Sequence, residues 1–269
     1  MANMTNIEQK KNLLRQWLRQ NGSFVLAFSG GVDSSLLAAA AKKEGCSFYA
    51  VTIDSPLLSQ ADRQNAHSVA HELNLQWSLQ AEDLLKIEEV AQNKPQRCYF
   101  CKKYIYKVLG TLAAEKGLPL VVDGSNADDL KSQRPGNQAA DEAKVAHPLA
   151  QAGLDKADIR QWARQIKLSV AERPASPCLA SRLPYHTQLE PHILQCIEKG
   201  EQVLRHLGFS DCRLRLHGNI CRLEVDPTQI DKVVAIRQQL VQALKQLGFD
   251  YITFDLEGLR SGSMDLFPL

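Results

Sequence analysis

No stretch of the sequence approaches the roughly 20 consecutive apolar residues of a membrane span. The N-terminal segment sets Lys10, Lys11, Arg15 and Arg19 among Leu13, Leu14, Trp17 and Leu18, which is amphipathic spacing and not the unbroken apolar core of a secretory signal. Both absences lead us to expect a soluble cytoplasmic chain without membrane contact. There is no long block of like charge, and the formal net charge of +2 gives no reason to expect a nucleic-acid partner. Seven cysteines, an odd number without a secretory signal, argue against a disulfide framework and turn attention to metal or sulfur chemistry. No internal repeat links the two halves. What the chain does have is 269 residues at 44% hydrophobic content, enough for folded cores and for two domains.

The organising stretch is Ser29-Gly30-Gly31-Val32-Asp33-Ser34-Ser35, between the apolar run Phe24 to Phe28 and a helix-forming segment from Leu36 to Glu44. A strand, a tight glycine turn and a helix start make a phosphate site. Adjacent glycines let backbone N–H groups turn toward an anion, and the helix dipole and serine hydroxyls add to the attraction. Ser34 or Ser35 is expected to cap the helix. The spacing is neither the Gly-Lys-Ser/Thr ending of a Walker loop nor the dinucleotide GxGxxG. It resembles the pyrophosphate loop of the ATP pyrophosphatase (PP-loop) superfamily, a resemblance that implies cleavage of ATP between its α and β phosphates and adenylation of a substrate.

Downstream, strands are expected at Cys46 to Asp54, Leu75 to Leu79 and Leu118 to Asp123, with helices at Ser59 to Leu73, Asp83 to Ala91, Tyr99 to Lys116 and Asp155 to Lys167. Alternating strands and helices imply an α/β fold with a doubly wound parallel sheet. Ligands of such sheets bind at the carboxyl ends of the strands, so the Ser29 loop, the turn after Asp54 and Gly124-Ser125-Asn126-Ala127-Asp128-Asp129 are placed on one rim, able to share one ATP. The polar segment Lys131 to Ala146 reads as a mobile loop or one that orders on binding. Pro174, Pro177 and Pro184 break the pattern. We place a domain boundary there, between Arg173 and His186, giving a first domain over 1–175 and a smaller α+β domain over 176–269. The second domain is expected to run helix (Pro191 to Leu207), a hairpin about His217-Gly218-Asn219, a helix (Thr228 to Leu247) and a strand (Tyr251 to Leu256).

Asp33, Asp128 and Asp129 are the carboxylates expected near a triphosphate, where magnesium would neutralise the leaving pyrophosphate; singly, each could equally cap a helix. Asp54 is a candidate for contact with adenosine. Cys98-Tyr99-Phe100-Cys101 presents two sulfurs at a helix start, and Cys178 lies among the boundary prolines. Three thiolates can hold an iron–sulfur cluster with one iron open to an exogenous ligand. Zinc, with a fourth ligand from His147 or His186, and plain reduced thiols are the other readings. Cys46, Cys196, Cys212 and Cys221 fit packing roles, and His67 and His71 a surface. Arg213 and Arg215 alternate on one strand and project to one face, where they could clamp a phosphate or carboxylate or simply be solvated. Arg182 and Arg260 complete the basic candidates.

Taken together, SGGVDSS, GSNADD, PCLASR, RLRLH and the terminal EGLRSGS resemble the LarE family across essentially the whole chain. The resemblance implies an ATP-dependent sulfurtransferase of nickel-pincer nucleotide biosynthesis, which adenylates a carboxylate of pyridinium-3,5-biscarboxylic acid mononucleotide and converts it to a thiocarboxylate. It assigns sulfur handling to Cys178, substrate contact to Ser181, Arg182, Arg213, Arg215 and Arg260, and a divalent-metal site to Glu201 and Glu224. Cys98 and Cys101 are similar to those of the three-cysteine branch, in which a 4Fe-4S cluster carries an added sulfide; members with only the cysteine matching Cys178 sacrifice its sulfur. The implied partners are the pyridinium nucleotide, sulfide or another sulfur donor, and further copies of the chain in a homo-oligomer, a hexamer being one form. The alternatives are an iron–sulfur tRNA thiolase, single-turnover use of Cys178, and a nucleotide-binding sensor or scaffold without turnover.

Overall fold

Residues 23–27 alternate between two interiors: Phe24 and Leu26 face one apolar cluster while Val25 faces another. A strand buried on both faces is what a parallel sheet covered by helices on each side requires. The computed structural model describes residues 6–131, 135–260 and 263–264. Residues 1–5 of the amphipathic N-terminus, 132–134 of the polar segment and 261–262 of the tail motif lie outside them. In chain order the elements are α1 (Asn6–Gln20), β1 (Ser23–Ala27), α2 (Val32–Lys43), β2 (Ser47–Asp54), α3 (Gln60–Glu72), β3 (Trp77–Ala81), α4 (Glu88–Ala91), α5 (Arg97–Glu115), β4 (Val121–Val122), α6 (Ala127–Lys131), α7 (Pro135–Glu142), α8 (Pro148–Gln151), α9 (Lys156–Gln165), α10 (Pro191–His206), β5 (Cys212–His217), β6 (Ile220–Val225), α11 (Ile230–Ala235), α12 (Arg237–Lys245) and β7 (Tyr251–Phe254).

The chain forms two compact units. The first runs to Ser55 and adds Gln60–Asp83 and Gln96–Ser176; the second takes Pro56–Ser59, Leu84–Pro95 and the chain from Pro177 onward. Backbone hydrogen bonds draw the two short pieces into the second unit: Leu179 N–H donates to Leu57 O, His186 N–H to Asn93 O and Leu189 N–H to Ala91 O.

In the first unit the sheet order is β3-β2-β1-β4 with every pair parallel, as expected from the strand–helix alternation. One face carries α1, α2 and α9 through Leu14, Leu18, Leu36, Leu37, Ile159 and Trp162. The other carries α5 and α7 through Tyr106, Leu109, Ala139 and Ala140. Each fully buried Leu or Phe contributes about 1.5–3 kcal/mol. The chain winds outward from β1 to β3 and then returns to β1's free side as β4. The loops after β1 and β4 therefore flank a topological switch point, where parallel sheets leave a crevice for ligands. The expected loop at 131–146 is corrected in part: Pro135–Glu142 is helical, because Gly136, Ala139 and Ala140 are small enough to be buried there, the two alanines in the α5-side core.

In the second unit β5 and β6 pair antiparallel across the two-residue turn Gly218–Asn219, and β7 pairs parallel to β6, so the sheet is mixed. The helix expected over 228–247 is interrupted at Ile236, which separates α11 from α12. Among the described residues no helix is long and apolar enough to cross a membrane.

Candidate functional site

The loop after β1 closes on itself through its serines. Ser34 Oγ lies 3.1 Å from Ser29 Oγ, accepts from Ser29 N–H at 3.3 Å and donates to Gly31 O at 3.2 Å, while Gly31 N–H donates to Ser29 Oγ at 3.2 Å. The helix starts at Val32 with Gly31 as its N-cap and no side-chain cap. The expected serine cap is thereby corrected: Ser34 and Ser35 fall inside the first turns and are buried, as is Val32. Among the described residues the buried Ser35 hydroxyl has no hydrogen-bond partner. A bare helix start leaves its first N–H groups without intrahelical acceptors, the arrangement that suits an anion.

Two glycines fix the loop by close approach. Gly30 has φ +70°, and a Cβ there would lie 2.6 Å from Ala66 Cα; Asn65 Nδ2 donates to its carbonyl at 2.7 Å. A Cβ on Gly124, the first residue of the loop after β4, would lie 2.8 Å from Ser34 N. The switch-point loops are thus packed backbone to backbone, and any side chain at Gly124 would drive them apart.

Asp33 stands where these loops meet. Its Oδ2 receives Lys156 Nζ at 2.5 Å and its Oδ1 receives Asn126 Nδ2 at 3.2 Å. Asn126 Oδ1 accepts the N–H groups of Asp128 and Asp129, and Asp129 Oδ2 accepts Asn126 N–H, a reciprocal cap on α6. Asp128 takes the backbone N–H of Lys156 at 3.1 Å and Lys131 Nζ at 3.3 Å, and those bonds lower its pKa. Asp54 is held by Arg63, with Nη2 at 2.6 Å. Lys156, Asn65 and Arg63 were not singled out by the sequence, since none lies in a motif; Asn126 was visible only as a member of GSNADD. The part-exposed Asp33 carboxylate is a hard oxygen donor of the kind magnesium takes.

Immediately before Gly124 lies Asp123, buried and doubly engaged. Tyr106 Oη donates to its Oδ2 at 2.7 Å, while His147 Nδ1 at 2.6 Å and Ser125 N–H at 2.9 Å reach Oδ1. Burial by itself would raise the pKa of this carboxyl, but the His147 hydrogen bond and charge, with Lys102 and Ser125 N–H, outweigh it and hold the value at about 2.

The cysteines separate by setting. Burial pushes Cys212 and Cys221 up to about 12, which makes them inert packing thiols, and it raises Cys46 as well. Cys98, exposed on the first turn of α5, and Cys101, part-buried at the start of the second, are three residues apart and so on one helical face. Cys178 is exposed at the N-cap of the short 3₁₀ turn Leu179–Arg182. These are accessible soft donors of the type an iron–sulfur cluster uses. Among the described residues no three His, Cys, Asp or Glu side chains form a ready-made metal site.

In the second unit a polar network runs from Cys178 to Arg260. The Cys178 carbonyl accepts Ser181 Oγ at 2.8 Å and Arg182 Nη1 at 3.3 Å, and Arg182 forks onto buried Glu201 at 2.9 and 3.2 Å. Arg215 donates to Ser181 O at 2.9 Å and grips Glu224, which also takes Arg222 and Ser263. Asp255 then links Arg222 to Arg260. Glu201 and Glu224, expected as a metal pair, are occupied here by guanidinium groups. Arg213 shares β5's face with Arg215; burial first, then the charge of Arg182, lowers its pKa. An anion bound beside it would relieve both penalties.

A parallel sheet with a glycine loop at its switch point and a paired carboxylate–lysine beside it defines a nucleotide-handling α/β enzyme. The family described as "Thiamine biosynthesis protein (ThiI)" matches residues 20–204. An uncharacterized protein of Synechocystis is 37% identical over 96% of this chain and 98% of its own. The pyridinium-3,5-bisthiocarboxylic acid mononucleotide synthase of Lactiplantibacillus plantarum is 33% identical over 97% of this chain and 96% of its own. A probable tRNA sulfurtransferase of Methanothermobacter thermautotrophicus is 28% identical, covering 61% of this chain and 45% of its own. The chain belongs to the ThiI-like family of PP-loop enzymes, ATP-dependent sulfurtransferases.

Proposed function

We propose that the protein thiolates pyridinium-3,5-biscarboxylic acid mononucleotide in the LarE manner. A carboxylate resists substitution because oxide is a poor leaving group. Attack of one carboxylate oxygen on the α phosphorus of ATP releases pyrophosphate and forms an acyl adenylate; a sulfur nucleophile then attacks the acyl carbon, and AMP departs with the former carboxylate oxygen. The Ser29–Ser35 backbone and the start of α2 are assigned to the phosphates, and Gly124, Asp54, Asp128 and Asp129 to the rim around the nucleotide. Asp33 is assigned to the magnesium ion that neutralises developing charge. Ser181, Arg182, Arg213, Arg215 and Arg260 are assigned to the carboxylate and phosphate groups of the substrate, which guanidinium forks recognise in pairs. Glu201 and Glu224 set the guanidiniums of Arg182 and Arg215, and as a divalent-metal pair they would first have to release them.

The observation that carries the reading is the turn that carries Cys178, whose backbone carbonyl accepts Arg182 and whose Ser181 carbonyl accepts Arg215, in a chain of which 97% aligns with the Lactiplantibacillus synthase. A 4Fe-4S cluster on Cys98, Cys101 and Cys178, when bound, would supply the sulfide and spare the Cys178 sulfur. The test is anaerobic incubation with ATP, magnesium, sulfide and either the biscarboxylate nucleotide or tRNA, followed by pyrophosphate assay and mass spectrometry. Pyrophosphate with a thiocarboxylated nucleotide is expected. Absence of both overturns the assignment, and thiolated tRNA transfers it to the tRNA enzymes. Iron counting after anaerobic reconstitution tests the cluster; protein that binds no iron and loses the Cys178 sulfur in one turnover is the sacrificial type.

A further inference from the structure

The reaction as assigned uses none of Tyr106, Asp123 or His147, yet the three form a buried polar group at the root of the loop after β4. Asp123 is 6% exposed, His147 7% and Tyr106 4%. Both carboxylate oxygens are engaged, and the backbone N–H of Asp123 donates to Ala146 O at 3.1 Å. The side chain is therefore tied to α5 and to the N-cap of α8, while the backbone of the same residue is tied to the chain beside β4. His147 must donate through Nδ1, and among the described residues its buried Nε2 has no hydrogen-bond partner. That orphaned nitrogen marks a ring oriented by its bond to Asp123 at the expense of its other side.

What Asp123 holds is the turn that follows it. Its Oδ1 accepts the N–H of Ser125, bending Gly124–Asn126 at the strand end. Each flanking residue of that turn meets the phosphate loop: Gly124 lies against Ser34 so closely that a methyl group cannot fit, and Asn126 Nδ2 reaches Asp33. We propose that Asp123, oriented by Tyr106 and His147, is a positioning residue for ATP activation, setting the height of Gly124 against the loop and the aim of Asn126 at Asp33. The proposal rests on the reading that this loop binds ATP. Asp123 touches no reacting atom; it acts through Gly124 and Asn126.

The test compares wild type with Asp123→Asn, Tyr106→Phe, His147→Asn and His147→Gln, measuring magnesium-ATP affinity by calorimetry, the ATP KM and kcat of pyrophosphate release, and folding by circular dichroism. Asparagine can place a donor near the Nδ1 position and glutamine near Nε2, so a bare packing role affects the two alike and a positioning role does not. Loss of a hydrogen bond to a charged group predicts ATP binding weakened about tenfold or more for Asp123→Asn and His147→Gln, a smaller loss for Tyr106→Phe, and recovery to within about threefold for His147→Asn. Folded variants that all bind ATP within about twofold of wild type, or equal losses for His147→Asn and His147→Gln, overturn the proposal. If Asp123→Asn fails to fold, the histidine pair and Tyr106→Phe decide it. Wild-type protein that binds no ATP overturns the loop reading and the proposal together, whereas wild type that binds ATP and thiolates nothing overturns only the assigned reaction.

Discussion

Arg215 donates to the carbonyl oxygen of Ser181 at 2.9 Å while its Nε and Nη2 hold Glu224 at 3.1 and 3.0 Å. One strand residue thereby anchors the turn that carries Cys178 and neutralises a carboxylate that is fully buried. Removing an arginine from such a pair strands the acid. Arg215→Ala is expected to lower stability by about 3 kcal/mol, the lower end for a broken buried pair because Arg222 and Ser263 stay on Glu224. Urea unfolding measures this. Arg215→Lys should keep most of the stability and lose the fork, which would appear as a raised KM for the nucleotide substrate.

In the proposed reaction activation and sulfur transfer use different residues, and Cys178 is the residue that tests the division. Cys178→Ala is expected to release pyrophosphate when given ATP and the biscarboxylate nucleotide, and to form no thiocarboxylate. Cys98→Ser or Cys101→Ser should restrict product to at most one equivalent of enzyme if multiple turnover depends on those thiols. Product quantified against enzyme concentration checks both. Undiminished multiple turnover in the serine variants would remove Cys98 and Cys101 from the reaction.

Gly124 faces Ser34 N at a distance that a Cβ could occupy only by moving backbone. Gly124→Ala should weaken ATP binding about tenfold or more, the loss of roughly one well-made anionic hydrogen bond. A calorimetric titration with magnesium-ATP reads it directly, and an unchanged affinity would show that the two loops shift without consequence.

Asp123 also makes a pH prediction. Its pKa of about 2 in the folded protein lies below the ordinary aspartate value near 3.8, so the folded state favours the ionised carboxylate. The stabilisation is fully present above the unfolded value and is lost as pH falls through the folded one. Acid unfolding followed from pH 5 to 2 should therefore be less steep in Asp123→Asn than in wild type between about 4 and 2.

Much of the first unit was legible from residues alone. Strands with apolar runs, helices with periodic faces and a glycine turn between β1 and α2 each carry local signals, and they place the parallel sheet and its switch-point loop correctly. Local signals fail where a contact from elsewhere decides. Pro135–Glu142 looked like a loop because its residues are polar and small, yet small residues are what burial beside α5 demands. The helix expected over 228–247 divides at Ile236, whose backbone leaves helical geometry although its side chain carries no breaking signal. Ser34 and Ser35 look like caps in sequence; in the fold, Gly31 takes that position and Ser34 turns back to Ser29 and Gly31.

The sequence by itself determined the α/β class and the phosphate-type loop, because strand alternation and glycine pairs are properties of short segments. Only the tertiary structure decided that Asp33 pairs with Lys156, that Glu201 and Glu224 hold Arg182 and Arg215, and that Asp123, Tyr106 and His147 meet. Asp33 and Lys156 lie 123 residues apart and meet because the chain returns to β1's side. Arg182–Glu201 and Arg215–Glu224 are 19 and nine residues apart, and their pairing follows from the cost of leaving a buried charge unmatched, which no local pattern records.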